Sequence, residues 1–313
     1  MSIERALELA DAATGRGYPN PTVGAVLVGS DGRTVGEGAT EEWGGRHAEV
    51  VAIDAAGDAA RGATLYVTLE PCTHHGRTPP CVDRILAAGA ARVVAGCLDP
   101  NPEAGGGLAR LREAGIETEL LDLPEARRQN EAWRTWIARR RPYVTLKLAV
   151  SVDGRVTVPG RRWVTGAASR RRVHELRASV DAVAVGMGTV RADAPRLDAR
   201  DVPVDREPRR LAFGRGPLPD GSPLELRSGT LPDELADFAS EGVQSLLLEG
   251  GPTIAVAALG SGVVDRLLVF VAPVLAGGGP PMLPALPEPL DLGAPDMERV
   301  GEDVLLSWRL REV

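Results

Sequence analysis

Apolar residues recur along this chain in two alternating rhythms. Ile3, Leu7 and Ala10 fall on one face of a helix over residues 3–14, which Pro19, Asn20 and Pro21 end. The apolar run 23–28 closes on Gly29, Ser30, Asp31 and Gly32, a strand entering a turn, with residues 34–38 as its hairpin partner. The same reading gives helix 48–56, strand 64–69, helix 81–88 ending at Gly89, strand 91–95, helix 108–114 ending at Gly115, and strand 116–120. A helix over 124–138 puts Ala126, Trp133 and Ile137 on its apolar side. The run Arg139, Arg140, Arg141 and Pro142 then reads as a solvated helix end that complements the helix dipole. The alternation restarts with strand 143–150, helix 167–179 and strand 180–185, which leads into a glycine loop from Gly186 to Thr189. Strand 209–213, helix 231–240, strand 244–249, a helix through Leu259, and strands 265–272 and 303–310 complete it. Residues 214–230 and the Pro-rich 276–296 read as loops, and no repeat of solenoid type is visible. Strands alternating with helices predict an α/β layered fold. The stretch 122–142 divides it into domains over 1–141 and 142–313.

Length and charge narrow the class. At ~150 residues per domain, 313 residues suggest about two domains. The net charge of −7 disfavours a protein that holds nucleic acid through its phosphates. No apolar stretch approaches the ~20 residues of a membrane span, and the acidic, amphipathic start is not that of a secretory signal. Three cysteines cannot make a disulfide framework, so a reducing cytoplasm is expected. Of 36 basic residues 35 are arginine, and Lys147 alone is lysine. In that background Lys147 marks a place where a compact ammonium is needed and a planar guanidinium is not.

The first half carries one chemical constellation. His47 and Glu49 open the helix at 48–56, Cys72 follows the strand at 64–69, and Cys81 opens the next helix. One imidazole and two sulfurs leave the fourth tetrahedral corner of zinc free for water, the pattern of a catalytic site. Both cysteines lie at or near expected helix starts, where the dipole favours a thiolate. Glu49 is two residues beyond His47, placed to move protons without ligating; this is the order of parts in zinc deaminases, except that eight residues rather than two separate the cysteines. His74 or His75, in the loop between the cysteines, is the alternative third ligand. Were His74 a fourth ligand, the site would be closed and structural. Cys97 reads as a buried small hydrophobe. The turn-forming residues Asp99 to Pro102 are explained equally by a plain turn.

Beyond those ligands, Asn20 to Gly24, the stretch Thr68 to Cys81 with its His-His-Gly-Arg-Thr-Pro-Pro-Cys insertion, and Asp99 to Pro102 resemble the deaminase domain of the bifunctional riboflavin-biosynthesis deaminase/reductase family. The resemblance implies a cytidine-deaminase-like α/β/α sandwich. It implies hydrolysis of 2,5-diamino-6-ribosylamino-4(3H)-pyrimidinone 5′-phosphate at C2 with release of ammonia. It also implies that His47, Cys72 and Cys81 hold Zn²⁺, that Glu49 shuttles protons, and that Asn20, His74, Arg77, Asp99 and Asn101 hold the pyrimidine and the ribosyl phosphate.

The second half lacks a Gly-x-Gly-x-x-Gly fingerprint, but Glu249, Gly250, Gly251, Pro252 and Thr253 combine a strand end, glycines and a helix start, an anion-binding arrangement. Residues 145–155, 163–166, 193–200 and 247–251 resemble the reductase half of the same family. That implies a dihydrofolate-reductase-like α/β domain that uses NADPH to reduce the ribosyl group to ribityl. Lys147 and Glu249 would then meet the reacting ribose, and Arg177, Leu197 and Arg200 the base and phosphate. Ala149, Trp163, Thr189, Asp193 and Gly251 would line the NADPH site. Two features depart from the family: Gly160, Arg161 and Arg162 replace a Ser-containing stretch, and residues 201–243 are short. A deaminase with a degenerate second domain is therefore the alternative reading. The expected partners are phosphorylated pyrimidines and further copies of the chain, with no nucleic acid or membrane.

Overall fold

The computed structural model describes residues 2–312, and these divide into two compact units between Ala138 and Arg139. The first unit opens with α1 (Ser2–Ala12), the hairpin β1 (Gly24–Val28) and β2 (Thr34–Ala39), and α2 (Ala48–Ala56). It continues through β3 (Thr64–Leu69), α3 (Cys81–Ala88), β4 (Arg92–Cys97), α4 (Gly107–Glu113), β5 (Glu117–Leu120), α5 (Pro124–Gln129) and α6 (Glu131–Arg139). The sheet order is β2-β1-β3-β4-β5; β1 runs antiparallel to both neighbours, and β3, β4 and β5 are parallel.

Two glycines set the layers. Gly38 sits opposite Ala25, and Ala25 follows Gly24, so Gly24 and Gly38 face opposite sides of the sheet. A Cβ on Gly24 would lie 1.9 Å from the Ala6 carbonyl oxygen in α1, and one on Gly38 would lie 2.4 Å from that of Ala48 in α2. Helix backbones thus press onto both faces of the sheet, and they bury Ala25, Leu27, Ala48, Ala52, Leu65 and Val67 between them. Cys97 is buried in the same core.

The helix expected over 124–138 is two helices, because Asn130 leaves the helical conformation between α5 and α6. Its side-chain amide accepts from the Thr22 N–H and donates to the Thr22 carbonyl, each at 2.8 Å. An amide so paired satisfies both buried polar groups of an irregular segment.

The second unit comprises β6 (Tyr143–Ser151), α7 (Ala167–Ala178), β7 (Ala182–Gly186), α8 (Met187–Asp193), β8 (Arg209–Phe213) and β9 (Glu225–Arg227). It continues with α9 (Leu231–Ser240), β10 (Ser245–Glu249), α10 (Pro252–Gly260), β11 (Arg266–Ala272), β12 (Asp296–Val300) and β13 (Asp303–Arg309). The strand order is β12-β13-β11-β6-β10-β7-β8-β9, parallel from β11 to β9 and antiparallel at the β12–β13 end. Near-continuous apolar strands such as Leu267 to Ala272 are what a parallel sheet covered on both faces requires.

Four expectations are corrected. The loop at Gly186–Thr189 is the start of α8, and the loops at 214–230 and 276–296 contribute β9 and the first residue of β12. Arg139 and Arg141 are not a solvated helix end, since both pair with Asp265, which is 1% exposed and also accepts from the Val144 N–H. Among the described residues no helix is long and apolar enough to cross a membrane.

Candidate functional site

In the first unit α2 begins at an extended N-cap, His47, and buries Ala48, Glu49, Ala52 and Ile53 along one face. Glu49 shares that face with Ile53 one turn on, so its carboxyl is turned inward. Cys72 stands in the loop after β3, and Cys81 is the first residue of α3. His47 Nδ1 lies 3.1 Å from Cys81 Sγ and 3.5 Å from Cys72 Sγ, and the three donor atoms are all within 4.8 Å of one another. The leftover ring nitrogen, Nε2, is 3.3 Å from Thr78 Oγ1. A hydroxyl there fixes the ring with Nδ1 toward the sulfurs. His74 is not in this cluster.

The electrostatics match a cation site. The hydrogen bond from the Cys81 thiol, against the opposing effect of burial, holds Cys72 down to about 4, and the same contact pushes Cys81 up. The Cys72 backbone-side partner is the Cys81 N–H, at 3.4 Å. Two sulfurs and an imidazole in mutual contact at a helix start are ligands a divalent cation takes by displacing their protons. Burial, and beyond it the Cys72 thiolate, pushes the Glu49 carboxyl up to about 7.

The other expected residues of this unit lie around the cluster. His74 has a buried Nδ1 without a hydrogen-bond partner. Arg77 lies on an exposed loop with its guanidinium 3.7 Å over the ring of Trp43. Asp99 accepts from the Asn101 N–H at 2.7 Å, and Asn101 accepts from the Glu103 N–H at 3.1 Å, so both side chains shape the turn that carries them. Burial pushes Asp99 up to about 6. Asn20 is exposed beyond α1, its N–H donating to the Gly17 carbonyl. Sequence reasoning passed over Glu70, which is buried and accepts from the Asp99 and Leu108 N–H groups, joining the Asp99 turn to α4. A carboxylate directly before Pro71 and Cys72 was the available signal.

In the second unit the carboxyl ends of the parallel strands bring residues together, as expected where strand order reverses. Lys147 on β6 is in register with Glu249 on β10, and its Nζ is 3.3 Å from Glu249 Oε2. Ala149 is two residues on, on the same face of β6. Arg177 grips Glu249 with Nε and Nη2, the latter at 3.0 Å, and donates through Nη1 to the Asp198 carbonyl at 3.0 Å. Burial alone raises Glu249; Lys147 and Arg177 outweigh it and hold the carboxylate at about 2. Leu197 packs its side chain into the core with φ at 55°, so its backbone is what it offers a ligand. Arg200 is half exposed, 3.5 Å from Asp198.

The expected cofactor residues split. Thr189 in α8 and Gly251 at the N-cap of α10 face each other so closely that a Cβ on Gly251 would lie 3.2 Å from Thr189 Oγ1. A bare backbone beside a helix N-terminus is a cradle for a phosphate, and it fits a dinucleotide. Trp163 is exposed, with Arg162 and Arg170 at 5.0 and 5.5 Å from its ring centroid, in a pocket that also includes Gly166, Pro273 and Asp303. Asp193 ends α8 with its side chain exposed.

The family described as the cytidine and deoxycytidylate deaminase zinc-binding region matches residues 1–97, and the RibD C-terminal domain matches residues 142–306. The riboflavin biosynthesis protein RibD of Aquifex aeolicus is 39% identical, over 97% of this chain and 96% of its own. The solved Acinetobacter baumannii RibD (form 1) superposes with a TM-score of 0.87 at 32% identity, over 98% of this chain and 97% of that one. A Thermotoga maritima structure titled as a diaminohydroxyphosphoribosylaminopyrimidine deaminase/5-amino-6-(5-phosphoribosylamino)uracil reductase gives 0.85 at 33%, with the same coverage. With sequence and fold in agreement over nearly all of its length, the chain belongs to the RibD family of riboflavin-biosynthesis proteins, whose members join a zinc-dependent deaminase to an NADPH-dependent reductase.

Proposed function

We propose that the first unit hydrolyses the C2 amino group of 2,5-diamino-6-ribosylamino-4(3H)-pyrimidinone 5′-phosphate, and that the second reduces the ribosyl group of the product to ribityl. The observation that carries this reading is the inward-facing Glu49 beside the His47, Cys72 and Cys81 donor set. Bound zinc supplies a Lewis acid that brings the pKa of water toward ~7. Glu49, its carboxyl buried beside that donor set, takes the proton of the water that attacks C2 and returns it to the departing amine. Thr78 keeps His47 oriented. His74 and the Asp99–Asn101 turn hold the ring, and Arg77, backed by Trp43, takes the phosphate.

NADPH, when bound, would supply the hydride of the second step; Gly251 and Thr189 would hold its phosphate, and Ala149, Asp193 and Trp163 would line the rest of its site. Glu249 stays ionised at neutral pH and accepts from the sugar hydroxyls. Lys147 donates to the opening sugar, and Arg177, the Leu197 backbone and Arg200 hold base and phosphate. Residues 1–141 and 142–313 are the functional halves. Three unpaired cysteines fit a cytoplasmic enzyme.

Ammonia release and NADPH consumption, followed on one purified sample with the diaminopyrimidine substrate, test the reading. Both are expected. Ammonia without NADPH consumption would leave a deaminase alone, and the absence of both signals would overturn the proposal.

A further inference from the structure

The segment from Ala194 to Asp201 is held against its own preferences. Ala194, Leu197 and Asp201 have φ of 43°, 55° and 60°, in the left-handed region that residues with a Cβ avoid. Conformations of that kind persist only where surrounding contacts over-determine them. Leu197 is anchored by its buried side chain, and the carbonyl of Asp198 by Arg177. A further anchor is His174, one turn before Arg177 on the same face of α7.

His174 Nδ1 lies 3.2 Å from the Arg200 backbone nitrogen and 3.2 Å from the Asp198 carbonyl oxygen. A peptide N–H only donates and a carbonyl only accepts, so one ring nitrogen satisfies one of them at a time. With Nδ1 unprotonated the ring accepts the Arg200 N–H, and Asp198 is left to Arg177. Burial, and after it Arg177 and Arg200, favours that neutral ring. Glu249, two-handedly gripped by Arg177, completes the arrangement: one helix face fixes both the strand-end carboxylate and the segment that presents Arg200.

We propose that His174 is a positioning residue of the reductase site: its neutral imidazole accepts the Arg200 N–H and so fixes the point from which the Arg200 side chain reaches the substrate phosphate. This rests on the reductase reading above. Without the acceptor, Arg200 departs from a looser backbone, and substrate affinity falls while the Lys147–Glu249–Arg177 group is untouched.

The test compares His174→Ala, His174→Asn and His174→Gln in the full chain. The Asn amide oxygen occupies the place of Nδ1, and Gln reaches instead toward Nε2. His174→Ala is expected to raise KM for 5-amino-6-(5-phosphoribosylamino)uracil about tenfold, the worth of roughly one hydrogen bond. kcat, NADPH affinity and ammonia release should hold at their wild-type values. His174→Asn should recover most of the loss, and His174→Gln should not. An unchanged KM in His174→Ala, or Asn no better than Gln, would overturn the assignment. Calorimetric titration of the same uracil compound into each variant reads the affinity without turnover. If the wild type consumes no NADPH the reductase reading fails, while a wild-type-like affinity in His174→Ala refutes the role of His174 by itself.

Discussion

Replacing Glu49 by Gln should cost the enzyme its deaminase and strengthen its fold. Gln keeps the shape and removes the charge, so ammonia release is expected to drop at least ~10²-fold, the usual worth of a positioned acid–base group. Zinc content should stay at about one per chain, since Glu49 is not among the ligand atoms. The stability effect follows from burial. A carboxyl raised from 4.5 to about 7, at ~1.4 kcal/mol per pH unit, amounts to ~3 kcal/mol. The sign is fixed by proton binding: the folded state binds the proton more tightly than the unfolded one. The contribution of Glu49 to wild-type stability is therefore fully present below pH 4.5 and is lost as pH rises to 7. Gln has no such loss. In chelator-treated protein the first-unit thermal transition of Glu49→Gln should match the wild type near pH 4.5 and lie about 10 °C above it at pH 8. With zinc restored the gap should narrow, because the cation stabilises the carboxylate. A pH-independent gap, or a variant less stable than wild type at pH 8, would refute the argument from burial.

Chelation should abolish ammonia release from the diaminopyrimidine, leave NADPH consumption with supplied 5-amino-6-(5-phosphoribosylamino)uracil intact, and be reversed by added zinc. Arg177→Lys replaces a two-pronged grip on Glu249 by a point charge and should lower reductase kcat/KM about tenfold or more. Gly251→Val drives a side chain into Thr189 and should raise KM for NADPH roughly tenfold with ammonia release unchanged, as coenzyme titration would show. Asn130→Ala orphans the buried N–H and carbonyl of Thr22; a loss of ~2–4 kcal/mol is expected from denaturant unfolding followed through the first unit.

Where local pattern decides structure, the sequence is a sufficient guide. The runs 48–56, 64–69 and 81–88 are elements with those same ends, because Gly89 and the apolar faces are local signals. The ligand candidates are legible for the same reason: each sits in a short motif beside an element boundary. Distant partners are what the pattern misses. The break at Asn130 depends on Thr22, more than a hundred positions away. The edge strand β12, Asp296 to Val300, is mostly exposed and pairs through its backbone, so it carries little apolar signal. His174, Thr78 and Glu70 escape notice because what each does depends on a group brought near only by folding.

The scarcity of lysine acquires a practical meaning once Lys147 is seen beside Glu249. The sequence offers acylating reagents a single side-chain amine, and that amine is 15% exposed and belongs to the reductase site proposed above, with none near the zinc donor set. Amine chemistry would therefore act as a selective poison, silencing hydride transfer through one covalent mark, and a bound phosphorylated pyrimidine should shield the enzyme from it.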